Sequence, residues 1–383
     1  MKIIIATPIY PPEIGGPATY TKELVEKLHE KHDLTVIAYA NNPKALDGST
    51  LIAINKNTSM PIRLWKFFLA IMSEAKSADV IYVQNAMAAG LPAMLAGLIK
   101  RKPVVLKFVG DEAWERATQH KKTTKRLAEF LEKPDGGLKI SLMRFVQGLT
   151  LRHVSVVTTP SQYLGEIIKD AYRIPNDKVR TNYNAAEKTT ESPFKVEKKQ
   201  HQIAVTARLV AWKGIAGVIK AVGSLMEKYS DIHLVIAGDG PERESLENLV
   251  KKLNLSKQVS FLGNVSRSET WQIRKESEIY VLNSTYEGLP HTALTSFAAE
   301  IPMIATNISG TNEAVYHEES GLLIEPENPE QLTKAIERLF ENKDLQKQII
   351  EGGSKILKEK FSWEAHLSIL ESFFASVQKT PRD

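Results

Sequence analysis

What most constrains this chain is the regular alternation of short β-branched runs with helical patterns along almost its whole length. In the first half the candidate strands are Lys2–Ala6, Leu34–Ala40, Leu51–Ile54, Asp79–Val83, Val104–Val109, Ser155–Thr159 and Val179–Tyr183. A second series follows at Gln202–Ala207, His233–Ala237, Val259–Leu262, Ile279–Asn283, Met303–Thr306 and Gly321–Ile324. This alternation reads as α/β with parallel sheets. Between the series, Glu187–Gln200 (EKTTESPFKVEKKQ) is polar and aperiodic, which is linker chemistry. The 383 residues are enough for two separate cores. The expected organisation is a domain over 1–186, a linker over 187–200, a second domain over 201–358 and a tail over 359–383. Within that tail Phe361–Val377 reads as an amphipathic helix that either stays on its own domain or crosses back to the first. Two facing Rossmann-like sheets leave a cleft at the carboxyl ends of their strands, where ligands of doubly wound sheets bind.

Composition excludes several classes. The chain has no cysteine, so disulfides and thiolate metal ligands are ruled out and a reducing compartment fits. Lys2–Ala6 is already a strand and meets Pro8, which is not the pattern of a secretory signal. The longest apolar stretch, Ala86–Ile99, is short and is broken by Gly90, Pro92 and Gly97, so it does not span a bilayer. A cytoplasmic protein is expected. Residues 1–185 hold 26 Lys and Arg against 17 Asp and Glu, a net +9, and the remainder carries −4. A basic half suits an anionic partner, either a membrane surface or nucleic acid, and is equally what a solvated Lys-rich surface looks like. Two segments bear on that choice. Pro61–Ala70 (PIRLWKFFLA) interleaves Arg63 and Lys66 with Trp65, Phe67 and Phe68, and Lys121–Arg126 (KKTTKR) is a tight basic cluster. Either suits anionic lipid or single-stranded nucleic acid, or an amphipathic helix packed on the first sheet with its cations outward.

Ser284–Thr306 (STYEGLPHTALTSFAAEIPMIAT) breaks a β-run into a Gly-Pro turn and opens a helix. Such a turn aims backbone N–H groups and a partial positive charge at whatever lies above it, which suits a phosphate. Gly288, Leu289, Pro290, His291 and Thr292 form the turn, and Glu287 stands at its mouth. Arg208 and Lys213 lie just past another strand end, spaced so that a guanidinium fork and an ammonium converge on one diphosphate. Fixed cations there stabilise the charge that grows on a leaving pyrophosphate. Gly15 and Gly16 sit between the first strand and its helix, where missing Cβ atoms allow close approach of a ligand. Gly238 and Gly240 close a later strand in good turn chemistry. The first loop is not a GxGxxG, so a nicotinamide dehydrogenase gains nothing from it. No cluster of carboxylates and histidines suggests a metal.

The ordered set PPEIGGPATY (Pro11–Tyr20), RLVAWKG (Arg208–Gly214), GDGPERESLE (Gly238–Glu247), FLGNV (Phe261–Val265), TYEGLP (Thr285–Pro290) and GLLIEPENPEQL (Gly321–Leu332) resembles the family 4 glycosyltransferases, retaining enzymes of the two-domain GT-B fold. The resemblance covers nearly the whole chain. It implies transfer of a hexose from a nucleotide-diphosphate sugar to a lipid-linked or saccharide acceptor in glycolipid or cell-surface polysaccharide synthesis. No cofactor or metal is implied. Arg208 and Lys213 would neutralise the leaving diphosphate, Glu287 would orient the donor sugar, and the backbone at Val265 would meet the base. With such acceptors, the protein is expected to sit peripherally on the inner face of the membrane, and nucleic acid is not favoured.

Two positions depart from the family pattern. The second glutamate of the pair that begins at Glu287 is here Thr295, a neutral group where the family holds the donor's ribose with a charge-assisted bond. Glu300, five residues on, lies well around the helix and is no simple substitute. The strand-end histidine of many relatives is here Gly110, followed by Asp111, which is either a ligand for a sugar hydroxyl or acceptor, or a cap. A non-catalytic nucleotide-sugar-binding relative and a sugar-nucleotide epimerase of the same fold therefore stay open beside the transferase.

Overall fold

The computed structural model describes residues 1–13, 15–186 and 196–378. It divides into two units, one of Met1–Asn182 with Ser368–Asp383 and the other of Tyr183–Leu367. The first is built on a seven-stranded sheet of β1 (Lys2–Thr7), β2 (Asp33–Tyr39), β3 (Ser49–Ile54), β4 (Val80–Gln84), β5 (Val104–Lys107), β6 (Val156–Thr159) and β7 (Val179–Thr181), in the order β3-β2-β1-β4-β5-β6-β7. The second holds β8 (Lys199–Thr206), β9 (His233–Ala237), β10 (Val259–Gly263), β11 (Ser277–Leu282), β12 (Met303–Thr306) and β13 (Leu322–Ile324), in the order β10-β9-β8-β11-β12-β13. Every pairing is parallel.

Parallel strands covered by helices on both faces lose the inside–outside alternation, and the central strands show it. Residues Ile3–Thr7 of β1 and all of β4 and β11 are buried. In each unit the first strand is flanked by the second on one side and the fourth on the other, so chain direction across the sheet reverses beside it. In the second unit this places the switch point between β8 and β11.

All thirteen expected strands are present, with ends shifted by no more than three residues. The boundaries between units differ more. Tyr183–Ala186, expected in the first domain, belong to the second unit, where the Tyr183 ring meets Phe361 edge-on at 5.3 Å and the Ala186 N–H donates to the Phe361 carbonyl at 3.0 Å. Lys199 and Gln200, read as the end of the linker, open β8, while 187–195 lie outside the described residues. The last helix, Trp363–Gln378, is shared. His366 holds the Tyr183 carbonyl at 2.6 Å in the second unit; further along, Glu371 meets His32 at 2.8 Å and Phe374 packs on Tyr82 in the first.

One buried charge in the first unit is unexpected. Lys107, the last residue of β5, is buried, with its ammonium 4.4 Å above the Tyr20 ring. Burial pushes its pKa down from 10.5 to about 7. Between those values the folded protein binds fewer protons than the unfolded chain, so this residue makes stability rise with pH across that window. The slope is at most about 1.4 kcal/mol per pH unit. Urea denaturation at about pH 7.5 and about pH 9.5 is expected to show wild type gaining more over the interval than Lys107→Met. Equal gains would contradict the depressed pKa.

Candidate functional site

The loops after β8 and β11 are adjacent because their strands are, and hydrogen bonds tie them together. The Thr285 N–H donates to the Trp212 carbonyl at 2.8 Å, and the Asn283 amide donates to the Gly214 carbonyl at 2.9 Å. Across the same gap the Lys213 ammonium meets the Glu287 carboxylate at 2.6 Å, and the Ser284 hydroxyl donates to the same oxygen at 2.7 Å. Both side chains of the ion pair are largely enclosed, 19% exposed for Lys213 and 11% for Glu287. Thr306, at the end of β12, donates its hydroxyl to the Ser284 carbonyl and so anchors the turn from the other side.

The structure thus brings Lys213 against the mouth of the EGLP turn. Lys213 ends a short 3-10 turn, Ala211–Lys213, between β8 and the helix Ile215–Leu225. Arg208, on the same loop, is exposed, and its side chain pairs with no described residue. A fixed ammonium and a free guanidinium at one strand end leave positive charge available to an anion. Leu289 and Pro290 are buried at the turn, and Pro290 caps the helix His291–Ala298 without a side-chain cap bond. His291 is exposed and Thr292 half-buried at the start of that helix. The loops after β9 and β10 join the same end of the sheet: the Leu209 N–H donates to the Asp239 carbonyl at 2.9 Å and the Gly238 N–H to the Gly263 carbonyl at 2.7 Å. Gly238 and Gly240 back onto the Arg208 loop, and Val265 packs half-buried against the second unit's core.

Thr295 is occupied from within. Its hydroxyl contacts the carbonyls of His291 and Thr292, both at 3.1 Å, so its one proton is spent on its own helix and only lone pairs face outward. Glu300 lies 3.7 Å from Lys275.

The remaining site residues belong to the first unit. Gly15 is the N-cap of the helix Gly16–Leu28 that follows β1, and a Cβ placed on Gly16 would meet nothing within 4 Å. Asp111 corrects the sequence reading. It caps the helix Glu112–Gln119 and is fully buried: it accepts from the Trp114 N–H at 2.8 Å, the Gln147 amide at 2.7 Å and the Tyr172 hydroxyl at 2.5 Å. Burial raises its pKa against the pull of those bonds. A carboxylate so enclosed binds neither sugar nor acceptor and is not a catalytic residue. At Gly110 a Cβ would meet only the carboxylate end of the exposed Glu115 side chain, at 2.4 Å, and no backbone atom.

Two groups were not singled out in the sequence. Glu112 is half-exposed, accepts from the Ala86 and Met87 N–H groups at 3.2 Å each, and has its pKa pushed up to about 7, chiefly by burial. Gly310, in the short helix Ser309–Asn312 after β12, presses on the EGLP turn: a Cβ there would lie 2.0 Å from the Glu287 carbonyl oxygen. The only sequence signal for it was a glycine in a Ser-Gly-Thr run past a strand end. Among the described residues no group of three or more His, Asp or Glu side chains is placed to hold a metal ion.

The family described as Glycosyltransferase Family 4 matches residues 14–188, and that described as Glycosyl transferases group 1 matches residues 187–356. An uncharacterized glycosyltransferase of Methanocaldococcus jannaschii is 26% identical over 389 residues, 95% of each chain. The lipopolysaccharide core biosynthesis glycosyltransferase LpsD of Rhizobium meliloti is 33% identical over 158 residues, 41% of this chain and 44% of that protein. Anabaena HepE, solved with UDP, superposes with a TM-score of 0.75 at 17% identity, covering 98% of this chain and 100% of that one, and shares the fold.

Since Gly310 sets the height of the EGLP turn, Gly310→Ala must displace it. The expected cost is about 1–3 kcal/mol of stability, read by thermal denaturation, with weaker nucleoside-diphosphate binding in calorimetry. A variant matching wild type in both would show that the turn does not depend on this contact.

Proposed function

This chain belongs to the GT-B glycosyltransferases of the family 4 and group 1 kind, and from that premise we propose that it is a retaining hexosyltransferase using a nucleoside-diphosphate sugar. The observation that carries the reading is the Lys213–Glu287 contact at the switch point between β8 and β11. In this scheme the bond from the sugar's anomeric carbon to the diphosphate breaks while a bond from the acceptor oxygen forms on the same face. The acceptor's proton passes to the departing phosphate oxygen, so no separate base is required. Arg208 and Lys213 take up the charge that develops on the diphosphate, in the place a divalent metal would otherwise fill. Glu287 turns the sugar, and the turn from Gly288 to Thr292 offers its N–H groups to the distal phosphate. The acceptor is a lipid-linked or growing saccharide.

Arg208 is the cleaner test because its side chain is exposed and unpaired among the described residues. Arg208→Ala is expected to lower kcat at least about 100-fold while changing stability by less than about 0.5 kcal/mol. Lys213→Ala should abolish turnover as well and also destabilise the fold, because it leaves Glu287 enclosed without its partner. Assays with a panel of uridine, guanosine and adenosine diphosphate sugars, with and without acceptor, read the outcome. Wild-type rates in both variants would refute the assignment, and donor consumption without acceptor would mark an epimerase instead.

One observation favours a weaker second reading, a donor-binding relative with little activity. The Thr295 hydroxyl is turned into its own helix and offers the ribose no charge. Thr295→Glu is expected to tighten nucleoside-diphosphate binding by about 1 kcal/mol, roughly five-fold, in calorimetry. Unchanged or weaker binding would mean that the ribose does not reach this helix face.

A further inference from the structure

Four Lys, Arg, Asp or Glu residues are buried among the described residues: Lys107, Asp111, Arg274 and Glu278. Asp111 accepts three hydrogen bonds, and Glu278 accepts from the Lys343 ammonium, the Gln346 amide and the His201 N–H. Lys107 meets burial with a depressed pKa. Arg274, near the end of the helix Arg267–Glu276 in the second unit, has neither remedy. It is 5% exposed, and a guanidinium stays protonated. Its Nη2 donates to the Thr206 hydroxyl at 2.5 Å, its Nε is enclosed with no acceptor, and no carboxylate among the described residues pairs with it. Its Cζ lies 5.1 Å from the centroid of the Tyr280 ring, which attracts a cation without neutralising it. The indole N–H of Trp271, one turn earlier on the same helix, is enclosed without an acceptor too. The excess of donors is therefore not confined to one side chain.

The place of this charge gives it a use. The helix Arg267–Glu276 follows β10 and so starts at the carboxyl end of the sheet. Helical side chains lean toward the start of their helix, and Arg274 thereby reaches Thr206, the last residue of β8. The Thr206 hydroxyl, which takes the Arg274 bond, is 3.1 Å from the Tyr280 hydroxyl, and that group donates to the Thr206 carbonyl at 3.1 Å. Two residues later the chain reaches Arg208, and the neighbouring β11 ends at Leu282, two residues before Ser284. Tyr280, under the guanidinium, belongs to the core cluster that also holds Leu289 of the EGLP turn and Ala293 of its helix. A fold that needed only the volume would be served by an apolar side chain, which carries no desolvation penalty. A cation kept enclosed at this strand end calls for an anion, and its field there is little screened by solvent.

Resting on the transferase reading above, we propose that Arg274 is the third cation of the diphosphate site. It is a positioning residue that acts from within the fold. Its charge raises the potential at the carboxyl ends of β8 and β11, and its bond to Thr206 fixes the strand end from which the Arg208 loop departs. The ligand-free protein carries the unfavourable burial of this charge, and a bound nucleoside diphosphate supplies the compensating one.

Two variants separate charge from volume: Arg274→Met removes the charge and fills the space, and Arg274→Lys keeps the charge without the fork. Calorimetry with uridine, guanosine and adenosine diphosphate reads affinity, and urea denaturation without ligand reads stability. Arg274→Met is expected to weaken the diphosphate that wild type binds best by about ten-fold or more, and the difference should persist in about 0.5 M salt. Its ligand-free urea midpoint should rise, because an unpaired buried charge has gone. Arg274→Lys should bind within about three-fold of wild type. Wild-type affinity in Arg274→Met, a lowered urea midpoint in that variant, or an Arg274→Lys as weak as Arg274→Met would each overturn the proposal. Arg208→Ala tells the two readings apart. No diphosphate binding by wild type, or binding indifferent to Arg208→Ala, overturns the site itself and this role with it. Binding lost in Arg208→Ala but kept in Arg274→Met overturns the role of Arg274 alone.

Discussion

The site of the second unit depends on an ion pair across the gap between two neighbouring strands. Lys213 and Glu287 are 74 residues apart in sequence, and β8 and β11 make them neighbours. Each is enclosed enough that losing the other leaves a charge short of solvent. Ser284 and the backbone bond from Thr285 to Trp212 hold the same geometry, so the carboxylate position is fixed by three contacts. Fixing it in advance matters because a donor sugar gains from an orienting group only when no binding energy is spent on arranging that group. The pair has a second consequence. Under the proposed transfer reaction, an arriving diphosphate would draw on Lys213 and loosen its hold on Glu287, freeing the carboxylate for a sugar hydroxyl.

The strands were legible because buried parallel strands leave a strong trace, short β-branched runs bounded by Gly, Pro and Asn. The positions of the EGLP turn and the Arg208 loop past strand ends were legible for a related reason: loops at the carboxyl ends of such strands are short and follow their strands directly. What could not be read depends on distant contacts. Asp111 is a plain strand-end acid in sequence, and its meaning is set by Gln147 and Tyr172, 36 and 61 residues later. Gly310 looks like any loop glycine until the Glu287 carbonyl is placed beside it. Glu112 and Lys107 owe their shifted pKa values to burial, which charged residue types do not announce.

The helices Met60–Glu74, Gly90–Lys100 and Leu138–His153 of the first unit, which expose apolar side chains as well as burying them, show a different failure of sequence reading. Only Pro61–Ala70 stood out, because there the cations and aromatics are interleaved. Ala86–Ile99 reads as an apolar stretch too short and broken to span a bilayer, and Leu138–His153 carries no feature that marks it in the sequence. Apolar periodicity locates the face that meets the sheet, but a helix with apolar residues on both faces gives the same signal with less contrast. Burial resolves the two faces, and the scarcity of acids, Glu74 alone, then becomes informative.

Charge is segregated along this chain. The first unit carries the excess of cations, and its helices Met60–Glu74, Gly90–Lys100 and Leu138–His153 hold six Lys and Arg against the one carboxylate of Glu74. The second is net acidic, yet at the switch point it sets Lys213 against Glu287 and leaves Arg208 exposed on the same loop, which suits a compact, multiply charged anion. A long-range attraction weakened by salt and a short-range site insulated by partial burial respond differently to ionic strength. Raising the salt concentration is therefore expected to weaken an anion held by the exposed cations of the first unit before one held beside the half-enclosed Lys213.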